Sequence, residues 1–413
     1  MIIREQYLSR LRKLRDVNVI KVVTGIRRAG KSTLFEQFKT ELLASGVEPK
    51  NIVYLNLEKL ENALLLNVYV LNNYIMKLVD KKQKNYVFLD EIQMVPEFER
   101  LADSLFVNDF IDLYLTGSNA FFLSSDLATM LTGRYIEIKI LPFSFAEFIS
   151  GYKVSSFDET FDNTFGKSKF EIFNDYLQYG GFPEVLNLLN AGKENEINNY
   201  LSSVYNTILE KDIMIRNKIR SRFDFENLAR FIFDSIGSII SPNNIANALT
   251  TKGNHIDRRT VDNYLSHLLG GFIFYQADRY DTKGKKLLQT LGKFYTVDLG
   301  FLSALFGRDR QFNKGHNLEN IVFLELLRRG NTVNIGKADN MEIDFVVKTP
   351  KGDRAYIQVA WTTNEQSTFE REIRPFERIK DFNKRILLTA DIEPSSSYKG
   401  IEKINVIDWL LDN

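Results

Sequence analysis

An α/β fold with a parallel sheet at the amino end and a second, mixed α/β region behind it is predicted by three observations. Val19 to Thr24 is an apolar, β-branched run that passes through a glycine-bounded loop into Leu34, Phe35, Phe38 and Leu42, which recur at helical spacing. Tyr86 to Leu89 and the stretch "FIDLYLTG" are likewise continuous apolar runs, the pattern of strands covered on both faces of a parallel sheet. From Gly315 onward a helical pattern gives way to the alternating strands "EIDFVV" and "YIQVAW".

At 413 residues the chain is too long for one ordinary core, so two to four domains are expected. Apolar residues make up 44% and charged residues 26%, the balance of a soluble globular protein. With 54 basic and 53 acidic residues there is no global field to attract nucleic acid or membrane, and any charged site must be local. The absence of cysteine excludes disulfides, thiolate zinc sites and cysteine nucleophiles, and fits a cytoplasmic location. The N-terminus, "MIIREQYLSRLRKLRD", lacks the apolar core of a secretory signal. The longest apolar stretch, "ALLLNVYVL", is far short of the roughly 20 residues that a bilayer requires, so no membrane partner is expected.

Between the first strand and helix, "GIRRAGKS" fits G-x-x-x-x-G-K-[S/T], with Gly25, Gly30, Lys31 and Ser32 at the fixed places. Glycines let the backbone turn and approach an anion, and successive N–H groups then surround phosphates at the positive end of a helix. The expected cradle comprises Gly25, Arg28, Ala29, Gly30, Lys31, Ser32 and Thr33. Lys31 would reach the terminal phosphates of a nucleoside triphosphate, and the Ser32 hydroxyl would ligate Mg²⁺. Such a cradle requires a second carboxylate on a buried strand, and "NYVFLDEIQ" supplies one: Asp90 as the metal partner, with Glu91 as the base that polarises water. At the end of the next strand either Ser118 or Asn119 can bond the γ-phosphate or the water; the plainer alternative is a Gly-Ser-Asn turn. Arg134, just before the strand Tyr135 to Ile140, is a candidate to neutralise charge in the transition state, in its own subunit or a neighbouring one; the alternative is a solvated arginine.

These residues resemble the AAA-type branch of P-loop ATPases, in which an extra strand separates the two motifs; that strand is placed here at Ile52 to Leu57. More narrowly, "TGIRRAGKSTL", "FLDEIQ", "LTGSNA", "LTGR", "LPFSFAEF" and "YLQYGGFPEV" are similar in order and wording to a prokaryotic AAA-like ATPase family with a C-terminal domain long described as of unknown function. The resemblance implies ATP and Mg²⁺ as ligands. No N/T-K-x-D motif of a GTPase is found.

Four segments are expected: an ATPase core over 1–152, a helical lid over 165–222, a winged helix-turn-helix over 223–300 and a final domain over 301–413. The lid rests on "YLQYGGFPEVLNLL" and on Glu194 to Arg222, read as helices around a Gly-Gly-Phe-Pro break. In the third segment, Ser241 and Asp257 are expected caps of two short helices, the second with Val261, Tyr264, Leu265, Leu268 and Leu269 on its apolar face. Arg258, Arg259, Asn263 and His267 lie off that face, free for DNA. From Lys211 to Lys293 there are 14 Lys/Arg against 8 Asp/Glu, which favours duplex DNA; a protein partner or a purely structural module is the open alternative. The final segment is similar to the restriction-endonuclease-like fold, in which a helix glutamate, a strand aspartate and an E/Q-x-K triplet hold Mg²⁺. Glu319, Asp344 and Gln358 match, but Ala360 stands where the lysine belongs, so a degenerate site without nuclease activity is expected unless Lys380 or Lys384 reaches in from a following helix.

The expected function is therefore a Mg²⁺-dependent ATPase whose nucleotide state moves a C-terminal module that binds DNA or a protein partner. The alternatives are a nucleotide-gated switch with little turnover and an ATP-dependent nuclease with a degenerate site. An arginine acting between subunits would imply an oligomer.

Overall fold

The computed structural model describes residues 2–118, 131, 133–153, 167–250, 256–284, 286–307, 313–393 and 395–412, with backbone alone for 286–291. The chain divides into two units, residues 1–142 with 270–272, and residues 143–269 with 273–413.

The strands of the first unit are the apolar runs of the sequence: β1 (Ile20–Thr24), β2 (Ile52–Asn56), β3 (Asn85–Asp90), β4 (Ile111–Gly117) and β5 (Tyr135–Lys139). They form one parallel sheet in the order β2-β3-β4-β1-β5. Every residue of β1, β3 and β4 is buried, as their unbroken apolar character requires. The strand lying between β1 and β3 in space is β4; Ile52–Asn56 comes between the motifs along the chain but forms the sheet edge, where its burial alternates. Helix Lys31–Ala44 lays Leu34, Phe35, Phe38 and Leu42 on the sheet. Phe35 meets Phe88 edge-on at 5.1 Å, and Phe88 stacks on Tyr114 at 4.6 Å. Each such buried ring contributes about 1.5–3 kcal/mol of burial, which fixes the helix that carries the loop.

In the second unit, helices Phe145–Gly151, Lys169–Tyr179, Pro183–Asn190 and Glu194–Thr207 come first. Ser144 with Glu147 and Ser168 with Glu171 form reciprocal capping boxes that start the first two. Glu194 to Arg222, read as helices, is helical over Glu194–Thr207 and then changes form. After Thr207 the chain widens into a π turn over Ile208–Met214, which buries Ile208 and Ile213 five positions apart, and helix Arg222–Asp234 starts anew with Ser221 capping Asp224 N. Then follow β6 (Ile239–Ile240), helices Pro242–Thr250 and Arg258–Gly270, and the hairpin β7 (Phe274–Asp281) and β8 (Lys286–Thr296). Ser241 Oγ accepts from Asn244 N at 3.2 Å and Asp257 Oδ1 from Thr260 N at 2.8 Å, the caps anticipated from the sequence. After helices Gly300–Phe306 and Lys314–Arg328 come β9 (Thr332–Ala338), β10 (Met341–Lys348), β11 (Arg354–Ala360), helix Gln366–Ile373, β12 (Lys384–Thr389), β13 (Ser396–Tyr398), β14 (Ile401–Asn405) and helix Val406–Leu411. All of these strands join one mixed sheet, β13-β14-β12-β11-β10-β9-β7-β8-β6. It is continuous because β7 pairs in parallel with β9, from Arg279 opposite Ile335 to Asp281 opposite Lys337.

Within this unit the Gly-Gly-Phe-Pro break closes on Asp298. Its carboxylate accepts from Gly181 N at 2.7 Å and Gly300 N at 2.9 Å. Gly180 has φ 78°, and a Cβ there would lie 1.7 Å from Asp298 Oδ1, so no other residue fits. Burial pushes the Asp298 carboxyl up to about 7 against the pull of the two N–H donors. A carboxyl raised from an unfolded value of about 3.9 contributes stability that is full below that value and is lost as pH rises through about 7. Asp298→Asn removes the titration. In urea unfolding between pH 4 and 8, the stability of wild type relative to the variant is expected to fall by up to about 1.4 kcal/mol per pH unit until about pH 7. Parallel profiles would show that Asp298 ionises normally.

Candidate active site

At the end of β1 the chain passes so close to β5 that a Cβ on Gly25 would lie 2.2 Å from Ile140 O. The loop then runs through Arg28, at φ 68°, and Gly30, at φ 97°, into helix Lys31–Ala44. The first N–H groups of that helix lack partners within it and carry its positive dipole end. Lys31 is only 4% exposed. Its Nζ donates to Gly25 O at 3.1 Å and Ile26 O at 3.3 Å and lies 3.6 Å from Glu91 Oε1. Ala29 is buried behind the loop, Ser32 is half-buried, and Arg28 and Thr33 are exposed. Arg4, which nothing in the sequence pattern marks, props the loop: buried itself, it donates from Nη1 to Ala29 O at 3.1 Å and from Nη2 to Leu141 O at 2.9 Å.

Asp90 is fully buried at the end of β3. Its Oδ2 accepts from Tyr54 OH at 3.0 Å and Asn56 Nδ2 at 2.9 Å, and its Oδ1 from Thr116 Oγ1 at 2.5 Å. Glu91 follows in a left-handed conformation, φ 56°, costly for a residue with a side chain and held by its N–H donating to Thr116 Oγ1 at 2.8 Å. Burial alone would raise the Glu91 pKa, but the Lys31 ammonium and a hydrogen bond from Gln93 outweigh it and hold the carboxyl below its ordinary value. Thr116 thus ties both acids to β4, a role that nothing in the sequence marked. Ser118 Oγ meets Gln93 Nε2 at 3.2 Å, and Asn119 lies outside the described residues.

Arg134 is placed elsewhere. Its carbonyl accepts from Ile20 N at the amino ends of β1 and β5, whereas the loop leaves from their carboxyl ends. Strands of this length, five residues, separate the two by about 16 Å. Its side chain pairs with Asp103 and lies 5.8 Å over the Phe106 ring. Within one chain, Arg134 does not reach the loop.

Comparison with known proteins matches the segments that carry this loop and these acids. Residues 17–149 match the family model of an AAA domain, and residues 170–311 match that of a domain of unknown function. A Haemophilus influenzae protein described as uncharacterized is 37% identical over 413 residues, covering 100% of this chain and 99% of its own. The chain belongs to the AAA-like P-loop ATPase family. An uncharacterized Methanocaldococcus jannaschii protein is 29% identical over 407 residues, 95% of this chain and 85% of that one. In fold, this family member is similar to a Walker-type ATPase of Pyrococcus abyssi, with a TM-score of 0.52 and 16% identity over 74% of this chain and 96% of that one. Among the described residues no helix is long and apolar enough to cross a membrane.

In the second unit of this ATPase family member, Glu319 and Asp344, two of the three residues expected from the nuclease-like pattern, meet around a lysine that sequence reading missed, and Gln358 bonds the backbone of Asp344. Lys293 Nζ, from β8, lies 2.8 Å from Glu319, 2.5 Å from Glu342 and 3.9 Å from Asp344. Glu319 also accepts from Tyr295 OH at 2.6 Å. Asp344 accepts from Val359 N at 2.8 Å, and Gln358 is occupied by Asp344 N at 2.7 Å and Glu372 at 3.1 Å. Burial would lower the Lys293 pKa, but Glu319, Asp344 and Glu342 raise it above the lysine range. Burial, with Glu319 nearby, raises that of Asp344. Lys380 and Lys384 do not reach in: both are exposed, Lys384 opens β12 instead of lying on a helix, and it pairs with Glu402. On helix Arg258–Gly270, Arg258, Arg259 and Asn263 are exposed, with Arg258 3.6 Å from Asp262. His267 is corrected: it is half-buried, and burial lowers its pKa.

Proposed function

We propose that this protein binds ATP with Mg²⁺ and hydrolyses it, and that the nucleotide state moves a C-terminal module that engages DNA or a protein partner. The observation that carries the first part is the approach of Lys31 to Glu91 at 3.6 Å, which joins the two motifs in one site. The residues present fit a triphosphate: the glycine-walled loop excludes a Cβ at Gly25, the helix start offers N–H donors, and one ammonium is held at the entrance by carbonyls that a phosphate replaces. Ser32 and Asp90 would hold Mg²⁺, which supplies charge neutralisation across the terminal phosphates. Glu91, kept ionised, takes the proton of the attacking water. Arg134 acts only if it enters a neighbouring subunit's site.

The exposed Arg258, Arg259 and Asn263 on one helix, followed by the β7–β8 hairpin, support a winged helix-turn-helix, and the local basic excess supports DNA. The pairing of Glu319 and Asp344 with Lys293 supports a last segment that does not cut.

The test is equilibrium binding of a fluorescent ATP analogue together with phosphate release. Lys31→Ala is expected to weaken binding about 10–100-fold, the worth of a charge-assisted hydrogen bond of about 1.5–3 kcal/mol. Unchanged affinity would remove Lys31 from the site. Filter binding of duplex DNA with and without ATP, across a salt series, separates the partners: a steep salt slope indicates DNA and absent binding a protein.

A further inference from the structure

The sequence marks Gln93 only as the end of "FLDEIQ", and the hydrolysis reading leaves it without a role. It sits two residues beyond the base, on the tight turn Ile92–Met94 that is closed by Met94 N donating to Glu91 O at 3.1 Å. Its Nε2 donates to Glu91 Oε2 and to Ser118 Oγ. That partner set assigns the amide: only the NH₂ group can donate to a carboxylate, so the neighbouring carbonyl Oε1 is left to accept from another donor. Oε1 is buried and has no hydrogen-bond partner among the described residues. A buried acceptor without a donor is rare and calls for a ligand or an ordered water.

We propose that Gln93 positions the attacking water in ATP hydrolysis, holding Glu91 through Nε2 and accepting from the water through Oε1; the inference rests on the hydrolysis reading above. A water that donates one hydrogen to Glu91 and the other to Gln93 Oε1 keeps its lone pairs free for phosphorus. As its oxygen bonds the γ-phosphorus, the bond from that phosphorus to the bridging oxygen breaks. The electron pair leaves with ADP, and the water proton passes to Glu91. Ser118, at the end of β4, fixes the other side of the same NH₂ group, so the amide cannot rotate without losing two acceptors.

Gln93→Ala, Gln93→Glu and wild type are compared by phosphate release over a pH series and by binding of the fluorescent ATP analogue. Gln93→Ala is expected to lower kcat about 100-fold, the effect of a misplaced reactant, with analogue affinity unchanged. Gln93→Glu places a second carboxylate beside Glu91 and is expected to shift the acid limb of the rate profile to higher pH. Wild-type kcat in Gln93→Ala would overturn the proposal alone, and so would a loss of analogue binding that matches the loss of rate, the mark of a merely structural prop. A wild-type protein that binds the analogue but releases no phosphate would overturn the hydrolysis reading and this inference together.

Discussion

A Glu91→Gln variant is expected to bind ATP as tightly as the wild type and to release phosphate about 10²–10⁴ times more slowly, the usual worth of a positioned general base. Glutamine has the same shape and can still accept from the Gln93 amide, so the turn and the loop should persist. What it lacks is the ability to take a proton. It also removes the partial pairing with Lys31, which frees that ammonium for phosphate and leaves no reason for affinity to fall. Because burial is outweighed by Lys31 and Gln93, Glu91 of the free protein stays ionised below the ordinary glutamate value of about 4.3. The pairing therefore stabilises the fold above that value and is lost as pH falls through the lowered pKa. Nucleotide draws Lys31 away and raises the Glu91 pKa in the complex, so the acid limb of kcat should lie at higher pH than that of kcat/KM. Equal phosphate release by variant and wild type would remove the base from Glu91.

The parts legible in the sequence are those made by neighbours along the chain. The loop from Gly25 to Ser32 is a local device, and a strand before it with a helix after it is a local pattern; Ser241 and Asp257 cap helices that start beside them. The parts that were not legible join distant segments. Arg4 reaches Leu141, 137 positions away. Thr116 joins β4 to acids 25 and 26 positions earlier, and it could have been suspected only from its place at the carboxyl end of a strand adjacent to β3. Its position just before the strand Tyr135 to Ile140 made Arg134 a candidate, yet the direction of β5, parallel to β1, sets it within one chain at the opposite edge. In the second unit, the triplet pattern assigned a lysine to one strand and left Ala360 in its place, while an ammonium enters from β8 across a sheet whose continuity depends on the pairing of β7 with β9. Strand order in space is not written in local periodicity.

Lys293→Ala is expected to cost about 3–5 kcal/mol of stability, measured by urea unfolding at pH 7, because it leaves buried carboxylates without their counter-charge. Lys293 is 4% exposed and Glu319 5% exposed, so solvent cannot substitute for the lost ammonium. Three carboxylates surround one cation, and the excess negative charge is relieved by the raised pKa of Asp344 and by Tyr295 donating to Glu319. Removing Lys293 upsets that balance on three elements at once: the hairpin through β8, helix Lys314–Arg328 through Glu319, and β10 through Glu342 and Asp344. Lys293→Met separates charge from packing, since its chain fills much of the same space without the ammonium. Methionine should therefore be nearly as damaging as alanine. Adding Glu319→Gln to either variant should recover part of the loss, because it deletes the most deeply buried of the stranded charges and keeps an acceptor for Tyr295. A near-neutral Lys293→Met would instead mean that the lysine serves as filler and that the acids find another counter-charge, which would reopen the cluster as a cation site.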